Sequence, residues 1–259
     1  MLKPIDLTAF PKEREQKLRS IYRYSMFEVM YYRSDLWMHS LRVFWLTEEL
    51  LPLAQKHLSI DPEKARTLAF VHDDAEIVMG DIQAGHKLRM SEKELKDVEK
   101  QEEHSIDILA KKYPEKINGY AYKDLLLHAS RKDCIEAQFV SYLDKLDALC
   151  ESLHELLAGN ITLVGSVMMY ASWLTDFPQK YPVLAPLLKS KESPLTFLTD
   201  RLTPMRTGTE IFAHLNKPFT KETITIDSNF PFYNTWRRLV LERGGKEGLA
   251  WLITQNETL

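Results

Sequence analysis

Apolar residues recur at intervals of three and four over most of the chain while strict alternation is nearly absent, a pattern that predicts an all-helical architecture. The first periodic stretch predicts a helix over 12–31. A second begins near Asp35 and sets Leu36, His39, Val43, Leu46 and Leu50 along one side. Asp61 followed by Pro62 pairs a capping residue with a first-turn proline. The helix it opens carries Ala65, Leu68, Ala69 and Val71, runs through His72 and stops at Gly80. Ser91 with Glu94 three residues later has capping-box spacing and starts a charged helix to about Lys112, which Tyr113-Pro114 ends. A long helix then carries Asp144 and finishes at Gly159-Asn160. Beyond it, 162–175 and 232–254 read as helical, and prolines at 178, 182, 186, 194, 204, 218 and 231 cut the interval between them into short pieces. Thr223-Ile224-Thr225-Ile226-Asp227 is the one stretch with strand-like alternation. The organisation expected is a helical-bundle core over 1–160 and a mostly helical extension over 161–259 packed on it.

With 259 residues, 44% of them hydrophobic, the chain is long enough to bury a substantial core, and its 9 glycines suit helices better than a turn-rich sheet protein. The formal net charge of -3 arises from interspersed charges of both signs. It supplies no basic stripe of the kind that binds nucleic acid, so a small-molecule substrate is favoured. Cys134 and Cys150 have neither metal-finger spacing nor the density of a disulfide framework, which fits a reducing cytoplasm. No apolar run approaches the roughly 18 to 20 residues of a membrane span, and the first residues lack an apolar leader. A soluble cytoplasmic protein without a membrane partner is expected, with a homodimer as its candidate assembly.

Candidate chemistry concentrates in the run His72-Asp73-Asp74-Ala75-Glu76-Ile77-Val78-Met79-Gly80-Asp81, with His39 before it and Asp144 after it. Two imidazoles and two carboxylates suffice to hold one divalent cation and leave positions for water and substrate. A lone histidine on an apolar helix face is more often a hydrogen-bonded core residue than a ligand, so the weight rests on the joint pattern. Glu76 follows His72 by four residues and Asp73 by three, on the same helical face, where it can serve as general acid or base. Asp81, just past the glycine, is freed from helical geometry and can turn into the cleft. Asp74 projects towards another face and is expected to be solvated. Histidines 57, 86, 104, 128, 154 and 214 are mostly assigned to surface or packing roles.

Met38-His39-Ser40, the run from His72 to Asp81, and Asp144 through Ala158-Gly159-Asn160 together resemble the HD-domain metal-dependent phosphohydrolases. Within that superfamily the pattern is similar to the YfbR-like 5'-deoxynucleotidases, over about 15–160. The resemblance implies that His39, His72, Asp73 and Asp144 ligate one divalent metal ion (Mn, Co, Fe, Ni or Zn), with Glu76 and Asp81 beside the reacting phosphate. It matches Arg23 to a phosphate-binding arginine, Lys87 to a family lysine, and Tyr24 to an aromatic, usually Trp, that packs against the sugar. Met38 stands where the family usually has Glu. The activity implied is hydrolysis of the 5'-phosphate of (deoxy)nucleoside monophosphates, the roles of Glu76 and Asp81 as acid or base staying open. Alternatives are a nucleoside triphosphate or another phosphorylated metabolite as substrate, or a non-catalytic metal-binding helical scaffold. Intact Glu76 and Asp81 argue against the scaffold.

Overall fold

The computed structural model describes residues 5–6, 9–191 and 231–253. Its chain forms two compact units. The first comprises Met1–Glu28, Arg33–Glu48 and Ile60–Ser141, and the second Val29–Tyr32, Glu49–Ser59 and Tyr142–Leu259. Helices α1 (Lys12–Arg19) and α2 (Leu36–His57) open the chain. The expected helix over 12–31 stops at Arg19. Ser20 closes its last turn by donating its hydroxyl to the Lys17 carbonyl, and Tyr22 then pairs with Asp35 as an isolated bridge. Tyr24 adopts a left-handed conformation (φ 55°) that a helix cannot contain. Residues 20–35 are therefore a loop folded back on itself. Asp35 starts α2 by accepting the Met38 amide at 2.8 Å.

Helix α3 (Pro62–Val71) is capped by Asp61, whose carboxylate accepts the amides of Glu63 and Lys64, and its residues from Ala65 to Val71 are all buried. The expected run to Gly80 is broken into α3, a turn over 72–75 and the single helical turn α4 (Glu76–Met79). In that turn Asp74, Glu76 and Ile77 bond back three residues instead of four, a tighter winding that ends the α-helix. Gly80 (φ 81°, ψ 164°) stops α4 in a conformation only glycine adopts readily. After α5 (Ala84–Lys87), α6 (Glu92–Lys112) carries the capping box expected from Ser91 and Glu94 and ends at Tyr113. A small hairpin follows, β1 (Lys116–Ile117) paired antiparallel with β2 (Tyr120–Ala121) around the Asn118-Gly119 turn. Then come α7 (Tyr122–Arg131) and the long α8 (Ile135–Leu157).

The second unit continues with α9 (Val164–Lys180), α10 (Ala185–Leu188), α11 (Pro231–Arg243) and α12 (Gly245–Ile253). Glu155, fully buried on α8, accepts from the amides of Tyr31 (3.1 Å) and Tyr32 (2.5 Å) and from Asn160 Nδ2 (2.7 Å). Trp236 Nε1 donates to the buried Asp147 at 2.6 Å. His154 packs against Trp251 and lies 2.9 Å from the Tyr233 hydroxyl, a packing role. The expected helix over 232–254 is divided at Gly244, where a side chain would collide with the Val240 carbonyl. The alternating stretch 223–227 and His214 lie outside the described residues. No described helix is long and apolar enough to cross a membrane.

Candidate metal and phosphate site

His39, on the second turn of α2, is wholly buried, and His72 is the residue on which α3 ends. The Nδ1 of His72 lies 2.9 Å from the Ala69 carbonyl, which can only accept, so Nδ1 carries the proton and Nε2 presents a lone pair. That Nε2 is 3.3 Å from His39 Nε2, and Asp73 Oδ2 stands 3.2 Å from the one and 3.3 Å from the other. A tetrahedral ion with bonds of ~2.0 Å holds its ligands about 3.3 Å apart, so this triangle has the dimensions of one face of a coordination shell. The residues present thus fit a divalent cation. A second observation agrees with that fit: Glu76 Oε2 is sealed from solvent and meets no hydrogen-bond partner among the described residues. Such an oxygen is costly to bury unless a bound group satisfies it. Asp144 lies on α8 in the second unit, with the Lys145 ammonium against its carboxylate.

Charge around the triangle is dense. Arg23 Nη1 lies 3.8 Å from Asp73 Oδ2. Burial pushes the Glu76 carboxyl well above the usual carboxylate range; the charges of Asp73 and Asp81 push the same way, against Arg23 and His39. Burial also raises Asp81, opposed first by Arg23. Lys87 lines a shallow cleft together with His72, Asp73, Glu76, Met79, Gly80 and, from α6, Glu102. The first unit thus gathers His39, His72, Asp73, Glu76, Asp81, Arg23 and Lys87 around one region. Tyr24 follows Arg23 in the loop, buried, its ring centroid 5.8 Å from the Arg23 guanidinium.

Four supporting side chains escaped the sequence reading. Asp74, expected in solvent, is 1% exposed and forms a buried pair with Arg14 of α1, Arg14 Nη2 at 2.6 Å from Oδ1 and Nε at 2.9 Å from Oδ2. Tyr122 donates its hydroxyl to the same carboxylate at 2.7 Å, and Arg14 also caps the Phe70 carbonyl at 2.6 Å. This network fastens the turn that carries His72 and Asp73 to two other helices. Nothing in the charged stretch Lys12-Glu13-Arg14-Glu15 distinguishes Arg14 from a solvated residue. Gln83, also buried, ties the loop over 20–35 down. In the amide orientation that satisfies its neighbours, its oxygen accepts from Ser25 Oγ at 2.8 Å, from the Tyr24 amide at 3.0 Å and from the Ser25 amide. The signal available was only its place two residues after Asp81.

Among solved structures, the chain is similar to an HD-domain phosphohydrolase from Listeria innocua at 18% identity, covering 74% of this chain and 96% of that one with a TM-score of 0.53. It is also similar to a protein from Pyrococcus horikoshii OT3 at 22% identity, covering 75% and 95% with a TM-score of 0.51. These likenesses establish the fold, the helical one of HD-domain proteins. A 5'-deoxynucleotidase of Vibrio parahaemolyticus serotype O3:K6 is 32% identical over 126 residues, 47% of this chain and 62% of the relative, so the match spans less than two thirds of that protein. The family model described as 5'-deoxynucleotidase YfbR-like matches residues 14–176, more than half of the chain and the whole stretch from Arg14 through Asp144, and the protein therefore belongs to the YfbR-like family.

Proposed function

We propose that this protein hydrolyses the 5'-phosphate ester of nucleoside monophosphates with the help of one divalent cation. The observation that carries the reading is the triangle of His39 Nε2, His72 Nε2 and Asp73 Oδ2, with Arg23 and the sealed Glu76 carboxyl beside it. These three residues would hold the ion, and the family pattern adds Asp144 as the fourth ligand. When bound, the ion supplies a Lewis acid for a phosphoryl oxygen and water acidified towards neutrality. Mixed imidazole and carboxylate donors suit Mn, Co, Fe, Ni or Zn.

Arg23 clamps the phosphate through its guanidinium fork, and Lys87 adds a second positive charge in the same cleft. Glu76, the more strongly raised of the two carboxyls, keeps its proton further up the pH scale and gives it to the leaving 5'-oxygen. Asp81 takes the proton of the attacking water. This contrast between the two carboxyls supports Glu76 as the acid and Asp81 as the base. Tyr24 packs against the sugar; smaller than Trp, with a hydroxyl that can bond a ribose 2'-OH, it leaves deoxyribose only modestly preferred. Cys134 and Cys150, which form no disulfide, suit the reducing cytoplasm in which we place the reaction.

The test is a panel of ribo- and deoxyribonucleoside mono-, di- and triphosphates offered to metal-loaded protein, with phosphate and pyrophosphate release measured separately. Monophosphates should yield phosphate and nucleoside. Pyrophosphate from triphosphates, with monophosphates untouched, would overturn the proposal in favour of a nucleoside-triphosphate pyrophosphohydrolase.

A further inference from the structure

A second constellation of metal-ligating side chains lies away from the cleft, where α7 passes into α8. His128 in the last turn of α7, Asp133 in the connection and Cys134 just before α8 offer a nitrogen, an oxygen and a sulfur that all lie within 4.8 Å of one another. His128 Nδ1 and Asp133 Oδ1 are already 2.5 Å apart. The turn is ordered by its own backbone. Lys132 takes a left-handed conformation (φ 54°, ψ 40°), its amide closes α7 on the His128 carbonyl, and Gln138 Nε2 donates to its carbonyl at 2.9 Å. The three side chains are thus displayed by a preformed connection.

We propose that this turn is a second cation site, binding a zinc-like divalent ion through His128 Nδ1, an Asp133 carboxylate oxygen and the Cys134 thiolate, with water completing the shell. Bonds of ~2.0–2.3 Å would set the ligand atoms about 3.3–3.7 Å apart, so separations within 4.8 Å have at most about an ångström to close and the 2.5 Å His128–Asp133 pair opens by slightly less, both within reach of side-chain rotation. One sulfur, one nitrogen and one oxygen select zinc or cobalt over magnesium or calcium, which take oxygen shells. Charge closes as well. The Asp133 carboxylate and Cys134 thiolate balance the dication, and the nearby Lys64 ammonium and Glu136 carboxylate pair with each other at 3.5 Å. Binding forms the metal–sulfur bond and releases the thiol proton to solvent. The ion would staple the end of α7 to the start of α8, independently of whether the cleft hydrolyses nucleotides.

Cobalt(II) titration of the full-length protein reads this site apart from the other, because the ligands assigned to the cleft include no sulfur and Cys150 is wholly buried. A thiolate-to-cobalt charge-transfer band should grow in the near ultraviolet to one equivalent, be bleached by zinc and persist in Asp73→Ala. It should vanish in Cys134→Ser and require at least tenfold more cobalt in His128→Ala. No band in the unaltered protein, a band that survives Cys134→Ser, one that disappears with Asp73→Ala, or an unchanged titration in His128→Ala would each overturn the proposal.

Discussion

Asp74→Ala strands a charge. Arg14 and Asp74 are each 1% exposed, and the guanidinium loses hydrogen bonds of 2.6, 2.9 and 3.0 Å when the carboxylate is removed, keeping the Phe70 carbonyl and the faces of Phe10 and Phe70, each 4.3 Å away, and of Trp37 at 5.7 Å. Leaving one partner of a buried pair uncompensated costs about 3–5 kcal/mol. The Tyr122 hydroxyl also loses its acceptor, ordinarily about 1–3 kcal/mol, but the groups share one network and their costs do not add. A net loss of about 4 kcal/mol is expected, a large part of the ~5–15 kcal/mol that stabilises a typical domain. Urea unfolding followed by circular dichroism in the presence of a chelator measures it without the stabilisation that metal binding adds. Replacing the whole network with apolar groups, Arg14→Met with Asp74→Leu and Tyr122→Phe, should recover most of the loss, because no charge is then left without its partner. A loss below about 1 kcal/mol in Asp74→Ala would refute a desolvated pair. A triple variant as unstable as the single one would refute stranding as the cause. Because Asp74 anchors the turn bearing His72 and Asp73, the folded fraction of Asp74→Ala should also bind cobalt more weakly.

The raised Glu76 carboxyl gives the metal-free protein a pH signature: the folded state binds this proton more tightly than the unfolded chain, so the stability it contributes is present below the ordinary carboxylate range and lost as pH rises through the folded value. Glu76→Gln should therefore be more stable than the parent in chelator at about pH 8, with the difference shrinking towards about pH 5, while metal-loaded turnover falls by about 100- to 10,000-fold; a difference that does not vary with pH removes the assignment. Gly80→Ala meets no atom within 4 Å, so its cost is backbone conformation alone, about 1–3 kcal/mol in unfolding, with kcat lowered as Asp81 shifts; unaltered stability would contradict the glycine-only geometry. Gln83→Leu removes the buried acceptor of the Tyr24 and Ser25 amides, about 1–3 kcal/mol, and should raise KM for a monophosphate more than it lowers kcat. Gln83→Glu, which keeps the acceptor, should restore KM, and equal impairment of both variants would reduce Gln83 to a packing residue.

Local signals carried the sequence reading a long way. The Asp61-Pro62 start, the Ser91 and Glu94 box, the Asp35 start of α2 and the Gly159-Asn160 stop are each decided within one helical turn, and each stands where the sequence put it. The hairpin, by contrast, was not read from the sequence. Asn118-Gly119 is a strong two-residue turn signal, but with only two residues on each side the flanking alternation is too short to read as strand. The donor set of the cleft was visible because His72, Asp73, Glu76, Gly80 and Asp81 fall in one run of ten residues.

What the sequence by itself determined was therefore the helical class, several helix starts and stops and the chemical inventory of the candidate site. Tertiary structure alone decided how that inventory is held. His39 and His72 are 33 residues apart, yet their nitrogens and Asp73 close a triangle of 3.2–3.3 Å. Arg14 and Asp74, 60 residues apart, both read as solvated charges until each is found to be the other's counterion, and Gln83 reads as a loop amide until Tyr24 turns left-handed beneath it. The physical reason is common to these cases. Hydrophobic periodicity and capping are properties of a single turn of chain, whereas the burial of a charge or amide is favourable only with its partner in place, and the partner is brought by the fold.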